Sequence, residues 1–411
     1  MKPLPAPGVR RWQVGVAALV LKALLLGLLV WWLWREPADL APDTRQAAAG
    51  ATASSTMRVA GAAPSLRAAR TDASGAAPAA VAHATAPAHA EPAQADMPLA
   101  PGAAVWDLCG VGRLPVPAGA AAGLDPERAL AALPAHLGRD AYAQAHLDLF
   151  AALDAGPPRW RAAAVMLRGT DAAGVPQALA LPALARQTDD PVVVLWAQQR
   201  CDLGASCLEM VERWALVEPQ NLAPWARLLA LQPQRREELI ARMAAAKRFD
   251  LHGQALSLAV LEALPASLAP YLQPGLWIDV IGIEAAMTMP SFKALFDHCR
   301  EPLRASAEVQ WACRSITATL LDRSDEAVGV GLGLRLAERA GLATGEVARR
   351  RAELQSWQRA PEGIFDAAQP LSCAGVARMR AWVEARARLG EMGALRARAE
   401  HRAAASASGT R

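Results

Sequence analysis

The sequence predicts an all-α protein in which a single N-terminal transmembrane helix and a disordered linker precede an irregular or repeat-like α-helical domain with disulfides. Residues 13–34 are almost wholly apolar, and a helix needs about 20 such residues to cross a membrane. Residues 35–102 are rich in Ala and Pro and have too few large apolar side chains to fold. Apolar residues recur at helical spacing across 103–400. Residues 401–411 are predicted to form a flexible tail.

The composition limits the classes of partner. The chain has 411 residues, of which 53% are hydrophobic, and its net charge is only +4. Ala, Arg, Leu, Gly and Pro dominate, a bias typical of a GC-rich bacterial genome. No dense basic stripe with interleaved aromatic side chains is present, so a nucleic-acid partner is not expected.

Tryptophans and basic residues define the ends and the orientation of the predicted span. The flanking tryptophans, which are typical of membrane interfaces, are Trp12, Trp31, Trp32 and Trp34. More positive charge precedes the span than follows it, so residues 1–12 are predicted to be cytoplasmic. In a Gram-negative cell the chain is then a single-pass inner-membrane protein with a periplasmic C-terminal domain. The span is too long for the apolar core of a signal peptide, and residues 47–49 leave cleavage as an alternative.

A lysine lies inside the span. An intramembrane charge often marks contact with a partner helix, but a lysine near one end also extends its side chain to the headgroups. Lys22 is nearer the cytoplasmic end. Its position favours the second interpretation and leaves the first as an alternative.

Six cysteines follow the span, on the side where oxidation is expected. Two pairs flank predicted helix–helix turns and the third lies near the ends of the domain: Cys201 with Cys207, Cys299 with Cys313, and Cys109 with Cys373. The even number favours disulfide bonds, although six cysteines allow many connectivities. The chain has neither a C-x-x-C motif nor a zinc-ligand spacing, so the main alternative is buried free thiols.

The segment 213–231, RWALVEPQNLAPWARLLAL, places a helix-ending EPQN before a Trp and several small residues. The earlier segment TDDPVVVLWAQQ has a similar pattern. The two segments resemble tetratricopeptide repeats over residues 188–265. The resemblance implies stacked antiparallel helix pairs and a role in protein binding. The spacing from Trp196 to Trp225 is shorter than that repeat, which leaves an irregular helical domain as the alternative.

Motifs for catalysis, metal binding and cofactor binding are absent from the sequence, so no catalytic residue, metal or cofactor is predicted. The histidines of the domain are His136, His146, His252 and His298. His146 lies two residues from Asp148 and does not share its helix face. His298 is next to Cys299, but neighbours on a helix point apart. The glycines of 328–334 (VGVGLGL) do not match a phosphate loop and are interpreted as close helix contacts.

These observations favour a membrane-anchored periplasmic binding or scaffold protein of the cell envelope, whose partner is an envelope protein or peptide. Most tryptophans of the domain lie at apolar helix positions and are predicted core residues, with a binding groove as the alternative. One alternative function is an envelope enzyme with a site built from distant residues, for which His146 and His298 are the first candidates. Another is a structural subunit of a secretion or division complex.

Overall fold

The computed structural model describes residues 105–116, 126–169, 180–199, 205–300, 306–339, 344–358 and 369–408. All of them belong to the unit Glu91–Arg411. In these ranges no helix is both long and apolar enough to cross a membrane. The predicted cytoplasmic tail, the span with Lys22 and its tryptophans, and the linker all lie outside the described residues.

A β-hairpin comes first and corrects the all-α prediction. Strand β1 (Val105–Leu108) pairs antiparallel with β2 (Gly112–Pro115), and Trp106 lies opposite Leu114. Gly110 and Gly112 adopt positive φ angles of 83° and 108° in and beside the turn, a conformation that glycine adopts without steric cost. Each strand has four residues, which is too short for a two-residue alternation to stand out in the sequence.

The rest of the described chain is helical, as predicted. The helices are α1 (Pro126–Ala132), α2 (Arg139–Asp154), α3 (Pro158–Arg168), α4 (Leu181–Arg186), α5 (Pro191–Gln199), α6 (Ala205–Val217), α7 (Leu222–Leu231), α8 (Arg236–Ala245), α9 (Ala255–Ala263), α10 (Gln273–Ala286), α11 (Lys293–His298), α12 (Ala307–Asp322), α13 (Ala327–Arg339), α14 (Thr344–Gln358) and α15 (Cys373–Ser408). Helix α15 extends into the stretch predicted to be a flexible tail.

Most helices pack against their neighbours in sequence. From α4 to α8 each helix packs on the next, and the row continues from α8 to α12, α13 and α14. The intervening α9 and α10 pack on α3 and α15 instead. The domain therefore consists of a row of helices and a second group gathered around α15.

The described residues form a large core and a small one. Trp196, Trp214 and Trp277 lie in the large core with at most 1% of their surface exposed. The small core joins α13 and α14 to the last part of α15, through Met392 and Leu395. Helix α15 passes from one core to the other across a kink at Gly390, where φ is 71°. Not every tryptophan is in a core, because Trp311 on α12 is 58% exposed.

Disulfide bonds are present, as predicted. Cys109 in the hairpin turn is bonded to Cys373 at the start of α15, with the two sulfurs 2.04 Å apart. Cys299, just after α11, is bonded to Cys313 on α12. Cys207 on α6 is also disulfide-bonded, and its predicted partner Cys201 lies outside the described residues. None of the described cysteines is free.

The glycine-rich run 328–334 lies within helix α13. A Cβ atom on Gly329 would lie 2.0 Å from Ser324 Oγ and 2.5 Å from Phe249 Cδ1, and one on Gly333 would lie 3.0 Å from Leu320 Cβ. A Cβ atom on Gly331 would meet nothing within 4 Å. Two of these three glycines therefore allow α13 to lie close to its neighbours. This agrees with the prediction that the glycines of the run make close helix contacts.

We expect Gly329→Ala to lower the free energy of unfolding by about 1–3 kcal/mol, because the added methyl group must displace the side chains of Ser324 and Phe249. Gly331→Ala is the matched control, and it should raise stability by about 0.5–1 kcal/mol because alanine favours a helix over glycine. Denaturant unfolding of the full-length chain measures both. Equal effects at the two positions would contradict the close packing of α13 on Phe249.

Candidate functional site

Three helices of the row end at the same place. A short segment follows each of the helices α6, α8 and α12. The segment after α8 lies between the other two and pairs with both. Asn221 pairs in parallel with Arg248, and Phe249 pairs in parallel with Ser324. These bridges require that the C-terminal ends of the three helices lie side by side.

The kink of α15 joins this group of segments. Met392 N–H donates to Asp325 O at 3.0 Å, and Ala327 N–H donates to Glu391 Oε2 at 2.9 Å. We call the four segments 218–222, 246–253, 323–327 and 390–392 together the junction. It lies where the large core meets the small one, because its members flank α13 and the kink of α15.

Glu218 is the central acceptor of the junction, and its side chain is only 4% exposed. Its Oε2 atom accepts hydrogen bonds from Trp214 Nε1 at 2.8 Å and Asn221 Nδ2 at 3.1 Å, and it lies 2.9 Å from His252 Nε2. Its Oε1 atom pairs with the guanidinium of Arg248. Burial opposes ionisation, but the hydrogen bonds and the charge of His252 outweigh it and lower the pKa of Glu218 to about 2. Glu218 is therefore a buried anion held by donors from its own helix and from two loops.

His252 lies between two carboxylates. Its Nε2 faces Glu218, and its Nδ1 is 3.2 Å from Asp250 Oδ2. Burial by itself lowers the pKa of His252, but the hydrogen bond to Glu218 and the negative charge of Asp250 raise it above its usual value. The doubly protonated ring matches this site, because it donates from both nitrogens. The backbone of His252 has a φ of 51°, and its N–H donates to Asp250 Oδ1 at 2.6 Å.

Asn221 connects the α6 and α8 segments and uses its full hydrogen-bonding capacity. Its Nδ2 group donates to Glu218 and, at 2.7 Å, to Asp250 O. Its Oδ1 atom accepts from the N–H groups of Ala223 and Asp250, both at 3.1 Å. The first of these caps helix α7, a role that asparagine fills well. No other residue type supplies two donors and an acceptor in this geometry, apart from the longer glutamine.

Glu326 is a second buried carboxyl group, on the α12–α13 side of the junction. Its Oε1 atom accepts from Leu251 N–H at 2.9 Å, whereas its Oε2 atom is buried and has no hydrogen-bond partner. Burial, and then the charge of Asp250, raise the pKa of Glu326 well above its usual value. Burial and the charge of Asp250 also raise the pKa of Asp325. The junction therefore contains one carboxylate whose pKa is lowered, Glu218, and two carboxyl groups whose pKa values are raised, Asp325 and Glu326.

No model of a protein family, no curated protein and no solved structure matches the chain. The function is therefore inferred from what the described side chains can do.

The polar side chains of the junction are used in internal contacts. The hydroxyl of Ser324 donates to Glu326 O at 2.9 Å, so it is used within the backbone turn. Among the described residues, no group of three or more His, Cys, Asp or Glu side chains could hold a metal ion. The described contacts of the junction connect helix ends to one another.

The two histidines proposed for an enzyme lie elsewhere and apart. His146 Nε2 is 3.2 Å from Asp279 Oδ2, and the same oxygen accepts the Tyr142 hydroxyl at 2.5 Å. Asp148 does not join this group, because it accepts from Gln144.

His298 is not part of a reactive pair. Its Nε2 atom is buried without a hydrogen-bond partner, and burial lowers the pKa of the ring. The adjacent Cys299 is bonded to Cys313, so it offers no thiol to His298. His136 is exposed.

Sequence reasoning did not identify the junction. Its members come from segments far apart in the chain, and only Glu218 and Asn221 lie in a stretch that the sequence had singled out, the helix-ending EPQN. One signal was present: Asn221 is the only asparagine of the chain, and it follows Glu218 and a proline in the turn EPQN. A residue type used once, in a predicted turn, was a reason to expect a specific hydrogen-bonding role.

The stability of the protein should depend on pH through His252. Its pKa is raised above 6.5 in the folded state, so its stabilising contribution is complete below pH 6.5 and is lost as the pH rises through the raised value. Glu218 acts in the opposite direction: its contribution is complete above pH 4.5 and is lost as the pH falls toward 2. We expect His252→Gln to cost about 1 kcal/mol or more at about pH 5.5, and to cost less as the pH rises.

Denaturant unfolding at a series of pH values measures this dependence. His136→Gln, at an exposed position, controls for the loss of a histidine. Parallel pH profiles for the wild type and His252→Gln would show that His252 does not titrate differently on folding.

Proposed function

We propose that the chain is a membrane-anchored binding or scaffold protein of the bacterial cell envelope, with its helical domain in the periplasm. The observation that carries the proposal is a disulfide-bonded helical domain in which the junction connects the ends of three helices of the row. Disulfides are typical of oxidising compartments, which supports a location outside the cytoplasm. A row of helices with fixed ends offers an extended surface to a partner.

The proposed partner is an envelope protein or peptide. The segment 188–265, which resembles tetratricopeptide repeats, contains helices α5 to α9. Helices α5 to α8 pack in sequence order, and this order supports a repeat-like binding domain. Trp311 on α12 adds an exposed aromatic side chain to the row, and tryptophan is enriched among the residues that dominate protein interfaces.

One observation favours the second candidate function, an envelope enzyme. Asp279 accepts from Tyr142 and lies within ion-pair distance of His146, so a carboxylate orients the imidazole. His146 and Asp279 are 25% and 37% exposed, which leaves the pair accessible. The scaffold function is preferred because the polar side chains of the junction make internal contacts that connect helix ends.

A photo-crosslinking amino acid in place of Trp311 tests the proposed function in living cells. Because the Trp311 side chain is largely exposed, the substitution should leave the fold intact. We expect irradiation of cells that carry the full-length chain to give discrete adducts with envelope proteins, identified by mass spectrometry.

Position 139 on α2 provides the matched control, because the side chain of Arg139 is 82% exposed. Adducts of the same kind and yield at both positions would indicate random collisions and would contradict a binding role for the row. Adducts with cytoplasmic proteins alone would contradict the periplasmic location.

A further inference from the structure

The hairpin is attached to the start of α15 by one covalent bond and a few hydrogen bonds. The covalent bond is the disulfide between Cys109 and Cys373. Beside it, Cys109 N–H donates to Leu371 O at 3.0 Å. Gln369 extends the contact along β1, because its side chain bonds to Val105 O and to Asp107 N–H, both at 3.3 Å.

Apolar contacts also hold the hairpin, because Trp106 and Leu114 pack against the large core and the turn at Gly110 lies close to Pro270. Its two strands pair only with each other, and a two-stranded sheet is at best marginally stable by itself. Leu108 is the fully buried side chain of β1, with 1% of its surface exposed. The attachment to α15 is therefore a large part of what orders the hairpin.

The disulfides differ in their exposure to solvent. Cys373 is exposed and Cys109 is half-buried. Cys299 and Cys313 have no exposed surface, and Cys207 is 4% exposed. A thiolate has to reach a sulfur atom to exchange with a disulfide, so of the two pairs that the structure describes in full, the disulfide of the hairpin is the accessible one.

We propose that the Cys109–Cys373 disulfide is a thiol–disulfide exchange site, which a dithiol oxidoreductase opens and closes while the Cys299–Cys313 disulfide stays intact. One thiolate of the oxidoreductase attacks the Cys373 sulfur, the bond between the two sulfurs breaks, and Cys109 leaves as a thiolate that takes up a proton. The second thiol of the oxidoreductase then attacks the mixed disulfide and releases the Cys373 thiol. Two electrons pass to this chain, and the oxidoreductase becomes a disulfide.

The state of this bond decides how firmly the hairpin is held to α15, and the hairpin is the first described element after the predicted linker in sequence. In the oxidised state the hairpin is covalently joined to α15, on which α9 and α10 pack. In the reduced state only hydrogen bonds and the apolar contacts of Trp106, Leu108 and Leu114 hold it. The inference goes beyond the proposed function and does not depend on it, because it concerns the isolated chain in any compartment.

Timed reduction of the full-length chain in detergent tests the proposal. Dithiothreitol is added, free thiols are blocked with N-ethylmaleimide, and each cysteine is quantified by peptide mapping. We expect Cys109 and Cys373 to become labelled at least about tenfold faster than Cys299 and Cys313, because the buried pair must first open. In guanidinium the two pairs should react at similar rates, which controls for intrinsic reactivity. Similar rates in the native protein would overturn the proposal.

Two further measurements test the role of the bond and the class of partner. Hydrogen exchange of the selectively reduced protein should show faster exchange across residues 105–116 and unchanged exchange in α12. The double substitution Cys109→Ser with Cys373→Ser should reproduce that result, and the reduced wild type gives the answer even if this variant does not fold. A protein with a C-x-x-C dithiol should reduce the same pair. Unchanged exchange in the hairpin, or reduction by dithiothreitol but not by the protein dithiol, would contradict the proposal.

Discussion

The burial of the Glu218 carboxylate is the constraint on which the rest of the domain depends. A buried anion is tolerated only when charged or polar donors surround it. The donors of Glu218 are Trp214, Asn221, His252 and Arg248, and they lie on α6, in the turn after it and in the loop after α8. The hydrogen bonds and the ion pair that this one carboxylate requires therefore set the relative positions of the C-terminal ends of α6 and α8. The loop after α12 is added through Glu326, which accepts from Leu251 and Gly253.

The junction and the two described disulfide pairs act at different places and by different means. The junction connects the helix ends between the two cores and reaches α15 through Asp325 and Met392. The Cys299–Cys313 bond ties α11 to α12 inside the large core. The Cys109–Cys373 bond joins the first and last elements of the described domain at its surface. Polar contacts thus organise the interior of the row, and an accessible covalent bond closes the domain.

The helices and the presence of disulfides could be predicted because their signals are local or countable. Helical periodicity is visible within one element, and a serine before a helix is a local capping signal, as at Ser306, which accepts from Val309 N–H at the start of α12. The hairpin was missed because its strands are shorter than the pattern that identifies a strand. The junction was missed because its hydrogen bonds form only when distant segments meet. Examples are the bond between His252 and Glu218 and the bond from Leu251 N–H to Glu326. His146 was noticed beside Asp148, yet its partner is Asp279 on another helix.

Native-state hydrogen exchange of Glu218→Gln tests the central claim, that one buried carboxylate couples the segments of the junction. The reporters are the amides of Leu222, Phe249 and Met392, which donate to Arg248 O, Arg323 O and Asp325 O. Glu209→Gln is the control, because Glu209 forms an exposed pair with Arg186. We predict that Glu218→Gln lowers the opening free energy of all three amides together by about 3–5 kcal/mol, whereas the control leaves them unchanged. Loss of protection at Leu222 alone, with Phe249 and Met392 as protected as in the wild type, would contradict the account.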